Sequence, residues 1–174
     1  MAKTSRENIV KDEQKILDIL FSNAHSSLEV LAKKCGFSSQ KVWRIIKNLE
    51  QRGTIWGYST VSDDKDTNKT HFILLFKRTS KPIDETVISA FLRTPLKTKL
   101  PEKIQLETIE YMHGAYDGFI SFYADSLRTA KKFTELIMQH YQGYFSDVHL
   151  LESLVVFKRS GVKNPHIMQD IKQL

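Results

Sequence analysis

Residues 35–53 read Cys35-Gly36-Phe37-Ser38-Ser39-Gln40-Lys41-Val42-Trp43-Arg44-Ile45-Ile46-Lys47-Asn48-Leu49-Glu50-Gln51-Arg52-Gly53. Val42, Ile45, Ile46 and Leu49 recur at the i, i+3, i+4, i+7 spacing that lines one stripe of an α-helix. Gln40, Trp43, Arg44, Lys47 and Gln51 fall on the opposite side. Gly36 tolerates the left-handed backbone of a tight helix exit, and Ser38 stands where a hydroxyl caps the helix that follows. A glycine turn, a serine cap and a helix with one apolar and one basic face predict a recognition helix whose outer face touches duplex DNA.

Upstream, Ile16, Ile19 and Leu20, with Leu17 beside them, predict an amphipathic helix from Asp12 that fades at Ser22-Asn23. Ser26-Ser27-Leu28-Glu29 then offers a capping box in which either serine caps and Glu29 reaches back. The second helix runs through Leu31 and Ala32 to Gly36. Three short helices at these separations make a helix-turn-helix. Downstream, Gly53-Thr54-Ile55-Trp56-Gly57-Tyr58-Ser59-Thr60-Val61 is rich in β-branched and aromatic residues and predicts a strand, which would make the module a winged helix. Asp63 to Lys69 is polar and aperiodic, so residues 62–69 read as a linker or hairpin tip.

Beyond it the period changes. Thr70 to Lys77, Ile104 to Tyr111, Gly118 to Tyr123 and Val148 to Phe157 are strand-like, whereas Asp84 to Leu92 and Ser126 to Gln139 are helix-like. The order βαββαβ is the split βαβ arrangement of ferredoxin-like domains. The expected fold is therefore α+β: a winged helix-turn-helix in residues 1–61, a linker in 62–69, a ferredoxin-like domain in 70–158 and a tail in 159–174. In Phe72-Ile73-Leu74-Leu75-Phe76 and Val155-Val156-Phe157 apolar residues occupy odd and even positions alike, so both sheet faces need cover. Two helices cover one face, and a second copy of the sheet would cover the other, which predicts a homodimer or higher homo-oligomer.

The 174 residues carry a formal charge of +6 and are 41% hydrophobic, enough for a real core. Residues 1–60 hold ten Lys/Arg against six Asp/Glu, residues 61–158 thirteen of each, and residues 159–174 three against one. A basic front over a neutral middle suits an anion-binding module joined to one with another job. Cys35 is the sole cysteine, so there is no internal disulfide and no thiolate zinc pair. The charged first fifteen residues lack an apolar signal core, and Phe72 to Phe76 is the longest apolar run, so the expectation is a cytoplasmic protein with no membrane partner.

The run Asp12-Glu13-Gln14-Lys15-Ile16-Leu17, then Leu31-Ala32, Gly36-Phe37-Ser38, Val42, Arg44, Leu49-Glu50 and Gly53-Thr54-Ile55-Trp56-Gly57-Tyr58 resembles the Lrp/AsnC, or feast/famine, transcription regulators. Gly114-Ala115-Tyr116-Asp117 is similar to the Gly-x-Tyr-Asp signature at a hairpin of that family. The resemblance spans about residues 12–158. It implies a winged-helix domain bound to double-stranded DNA and a βαββαβ domain that dimerises and, in many members, binds an amino acid or related small metabolite near that hairpin. Ile45 stands where a second arginine is common, Lys41 where a small residue or proline is common, and Thr94 to Lys103 is longer than usual. The tail beyond Ser160 matches nothing in the family pattern.

The candidate DNA-binding residues are Ser39, Gln40 and Lys41 in the first turn, then Trp43, Arg44 and Lys47. Arg44 can grip guanine O6 and N7, and Gln40 suits adenine. Trp43 has two readings, contact with thymine methyls and deoxyribose or burial against the second helix. For an effector, Asp117 can accept bonds from an α-amino group beside Tyr116, and Gly114 permits close approach. The alternative there is a hairpin in which Asp117 binds local N–H groups, with His113 beside it on the surface. Six histidines show no HExxH or Cys/His ligand spacing, and no nucleophile elbow or phosphate loop occurs, so neither a metal, a cofactor nor catalysis is expected. The alternatives are an architectural DNA-coating protein or, since siroheme decarboxylases resemble the same two-module plan, a tetrapyrrole-pathway enzyme.

Overall fold

The computed structural model describes residues 6–85, 87, 89 and 103–173. The chain divides into two compact units, Met1–Val61 with Val155–Leu174, and Ser62–Leu154.

In the first unit, α1 spans Arg6–Ser22, α2 Leu28–Cys35 and α3 Ser39–Gln51. Helix α1 begins six residues ahead of the expected Asp12, and among its residues only Ile16 is fully buried. Its first two turns carry no inward stripe, which is why periodicity missed them. Of the two candidate caps Ser27 is the one used, accepting from Val30 N at 3.4 Å. Gly36 adopts φ 71° and its N–H closes on Ala32 O. Ser38 accepts from Lys41 N at 3.2 Å, and the predicted stripe Val42, Ile45 and Leu49 is buried with Ile16, Leu31, Ala32 and Cys35. Ile46, Phe37, Leu28 and Ile55 pack against this core. Each such side chain contributes roughly 1.5–3 kcal/mol when fully buried, which is what three short helices need to hold together.

The strand expected over Gly53–Val61 does not form a ladder with any described residue. Ile55 joins the core, but Trp56 is 96% exposed and Tyr58 only reaches back to Glu50. A β-prone segment makes a strand when it has a neighbour to pair with, and no described residue of this unit supplies one there.

The second unit is one antiparallel sheet with order β2-β3-β1-β4, in which β1 is Thr70–Arg78, β2 Gln105–Tyr111, β3 Gly118–Ala124 and β4 Phe145–Glu152. This is the ferredoxin-like order, and α4 (Leu127–His140) links β3 to β4. Ser126 caps α4 by accepting from Thr129 N. Phe72, Leu74 and Phe76 of β1 and Ile120, Phe122 and Ala124 of β3 are buried with Ala130, Phe133 and Ile137 of α4. The helix expected over Asp84–Leu92 and the long segment from Thr94 to Lys103 fall largely outside the described residues.

Two expectations for this sheet are corrected. Strand β4 ends at Glu152, not Phe157, because β1 begins at Thr70 and offers no further partners after Ser153 N binds His71 O. Val155, Val156 and Phe157 instead leave with the tail. The face away from α4 is also not uniformly apolar. Ile73, Leu75, Phe119 and Leu151 share it, by register, with a polar cluster. There His71 meets Ser153 Oγ through Nδ1 at 2.6 Å and Glu107 Oε2 through Nε2 at 3.0 Å, while Ser121 and Tyr123 donate to the same carboxylate. Burial raises the Glu107 pKa, but the bonds from Ser121, His71 and Tyr123 outweigh it and hold the group below its ordinary range.

The tail forms a hairpin of β5 (Lys158–Arg159) and β6 (Val162–Lys163) followed by a short helix α5 (Ile167–Ile171).

Candidate nucleic-acid interface

The cap at Ser38 and the buried stripe fix which side of α3 faces out. Gln40, Trp43, Arg44, Lys47 and Gln51 are all exposed. Trp43 is 52% exposed, so it is not buried against the second helix in this unit. Among the described residues Arg44 makes no ion pair, which leaves its guanidinium fork available. Lys47 is exposed but rests on Glu50 at 2.8 Å. That contact and the Tyr58 hydroxyl hold the Glu50 carboxyl below the usual range. Ser39 is half-buried in the first turn, with its backbone at the helix N-terminus.

Lys41 points elsewhere. Its Nζ lies 2.6 Å from Asp12 Oδ2 and 3.9 Å from the centre of the Phe37 ring. Arg52 likewise reaches Glu13 at 2.9 Å. These two ion pairs strap α3 to α1 at both ends, and sequence spacing could not show them because the partners lie about thirty to forty residues apart. Lys33 and Lys34, in the last turn of α2, are exposed and were not singled out from the sequence. A basic last turn just before a glycine exit was the signal that could have found them.

In the second unit Gly114, Ala115 and His113 are exposed at the β2–β3 hairpin, and Gly114 has φ 153°. Asp117 Oδ2 accepts from Arg78 N at 2.7 Å, and its own N–H donates to Phe76 O. The carboxylate thus bonds a backbone N–H at the end of β1, not the local hairpin N–H groups of the alternative reading. The Tyr116 ring lies edge-on to His149 and 5.4 Å from Lys77 Nζ. Arg78, not singled out from the sequence, bonds Tyr111 Oη at 2.6 Å and Lys81 O at 3.0 Å, while its buried Nε has no protein partner. A cation at the end of β1, opposite the signature hairpin, was the available clue.

Residues 13–55 match the family model described as winged helix-turn-helix DNA-binding. No curated protein matches the chain. Among solved structures, an AsnC family transcriptional regulator from Agrobacterium tumefaciens superposes with TM-score 0.63 at 21% identity, over 86% of this chain and 92% of that one. The leucine response regulatory protein of Mycobacterium tuberculosis gives TM-score 0.63 at 17% identity, over 90% and 97%.

The chain has the two-module fold of the Lrp/AsnC regulators.

A third match, a transcriptional regulator from Neisseria meningitidis solved as its L-Met complex, gives TM-score 0.63 at 18% identity, over 91% of this chain and 97% of that one. The Lrp/AsnC resemblance read from the sequence thus holds at the level of fold and module order. No described helix is long and apolar enough to cross a membrane.

Proposed function

We propose that this protein is a sequence-specific, DNA-binding transcriptional regulator, and not an enzyme, acting in the cytoplasm as a homodimer or higher oligomer. The observation that carries the reading is α3 itself: a capped, strapped helix whose outward face presents Gln40, Trp43 and Arg44, the last with no ion pair among the described residues. In the major groove Arg44 reads a guanine, Gln40 an adenine edge, and Trp43 packs on thymine methyls or sugar. Ser39 and Lys47 hold phosphates. The ion pair to Asp12 gives Lys41 a supporting part, setting the approach of the first turn rather than touching a base.

The partly exposed Ile73, Leu75, Phe119 and Leu151 favour a second copy over the open sheet face. A two-fold pair would place its recognition helices on half-sites about one helical turn, roughly 34–36 Å, apart. For an effector we favour an amino acid near Gly114, Tyr116 and Asp117, where the Arg78 guanidinium adds a group suited to a carboxylate. Such a ligand would act by biasing how dimers assemble and so the spacing of the helices.

Selection of bound sites from random duplexes at near-physiological salt, with and without a pool of amino acids, tests this. A palindromic consensus supports a regulator, and its shift with one amino acid identifies the effector. Uniform affinity for all sequences would replace the reading with a DNA-coating protein, and no duplex binding at all would overturn it.

A further inference from the structure

The tail is the part of the chain that the function above does not use. It belongs to the same compact unit as the helix-turn-helix. Its hairpin turns on two residues, Ser160 at φ 46° and Gly161 at φ 83°, the left-handed pair of a tight two-residue turn. The tip is seated on α1: a Cβ added to Gly161 would lie 2.6 Å from Phe21 O and 3.0 Å from the Phe21 ring. Glycine is thus required twice, for its φ and for the close approach. Phe21 is in the last turn of α1, beside the turn into α2. In the homeodomain, a three-helix variant of the helix-turn-helix, the helix 1–2 loop contacts the DNA backbone.

The hairpin's charge is unusual for a structural clip. Lys158 pairs directly across from Lys163, and both are exposed. Like charges opposite one another weaken a strand pair. Residues 153–169 contain no Asp or Glu to offset them. Asp170, the acid of α5, is bound to the Asn164 side chain. Two opposed cations on a strand pair only two residues long are stabilised by an anion placed between them. Residues 54–61, where a wing was expected, pair with nothing in the described chain.

We propose that the C-terminal hairpin is a second DNA-contacting element, whose Lys158 and Lys163 together hold backbone phosphates flanking the site that α3 reads. The proposal rests on α3 being the recognition helix and adds a position-fixing contact that the α3 reading does not require. Lysines act on phosphate as point charges and carry no base information, so the hairpin sets affinity and salt dependence and leaves the sequence preference to α3.

The test compares the full chain with Lys158→Gln/Lys163→Gln and with Arg44→Ala on a selected duplex across a salt series. The double variant should lower the log–log salt slope by about 2, since each phosphate contact is worth roughly 0.9, and weaken binding roughly 30-fold at 0.15 M salt. Its consensus should match that of the unsubstituted chain, and its melting temperature should be equal or slightly higher because the like-charge pair is removed. If Arg44→Ala weakens binding and relaxes the consensus while the double variant keeps the full slope, the hairpin proposal is overturned and α3 stands. If Arg44→Ala changes nothing, the α3 reading falls, and the hairpin assignment falls with it.

Discussion

Lys41→Ala separates the arrangement seen in this structure from the simpler idea that every cation on α3 serves DNA. The ammonium sits 2.6 Å from Asp12 and over the Phe37 ring at 3.9 Å, with the two charged side chains 36% and 24% exposed. A half-exposed ion pair contributes about 0.2–1 kcal/mol, and a cation over an aromatic ring at such a site about 0.5–1 kcal/mol. Together they give a loss of about 0.7–2 kcal/mol, part of it from leaving Asp12 of α1 without its partner. For a unit of this size each kcal/mol moves the melting temperature by roughly 4–8 °C, so the first transition should fall by about 3–16 °C. The assay is thermal unfolding by circular dichroism alongside a salt titration of duplex affinity well below that transition. The salt slope should stay at its original value. A slope reduced by about 1, the mark of one lost phosphate contact, with an unchanged melting temperature would refute the reasoning and return Lys41 to the DNA surface.

Arg44→Ala should cost about 1–3 kcal/mol of specific affinity, measured by fluorescence anisotropy, and leave unfolding unchanged because the guanidinium has no ion-pair partner among the described residues to lose. Gly118→Ala would place a methyl 2.3 Å from Phe76 Cζ and 2.6 Å from Glu110 O, the latter a backbone atom of the paired strand. Such overpacking costs about 1–3 kcal/mol and should appear as an earlier denaturant midpoint for the second unit alone. The Lys103 ammonium, with Thr129 and Ser126, draws the Asp125 pKa from 3.8 down to about 2. A depressed carboxyl stabilises fully above its unfolded value, so this contribution is present above about pH 4 and is lost as pH falls through about 2. Asp125→Asn should therefore melt below the unsubstituted protein at neutral pH, and the gap should close across that window in a pH series of calorimetric scans.

What the sequence disclosed was what local chemistry determines. The glycine exit, the Ser38 hydroxyl and the Val42–Leu49 stripe act within a dozen residues, so α3 and its outward face could be read directly. The unbroken apolar run Phe72–Phe76 and the turn between β2 and β3 were similarly self-contained. Features set by a distant partner were not legible. The extent of β4 depends on where β1 starts, and the fate of Thr54–Val61 on whether another strand lies beside it. Lys41 reads as a groove residue from the sequence, which could not show that Asp12 and Phe37 lie beside it. The open sheet face looked apolar from β1 alone, because His71, Glu107, Ser121 and Ser153 meet there from four strands or their ends. The tail is an intermediate case: Ser160-Gly161 between basic residues is a turn signal, but nothing nearby in sequence says it docks on Phe21.

The return of residues 155–174 to the unit that holds the three helices makes the middle of the chain an insertion. Polypeptide enters that inserted body once, after Val61, and leaves it once, after Leu154, so two covalent tethers join the two units. A premature stop after residue 154 would spare the sheet yet strip the helical unit of its last twenty residues.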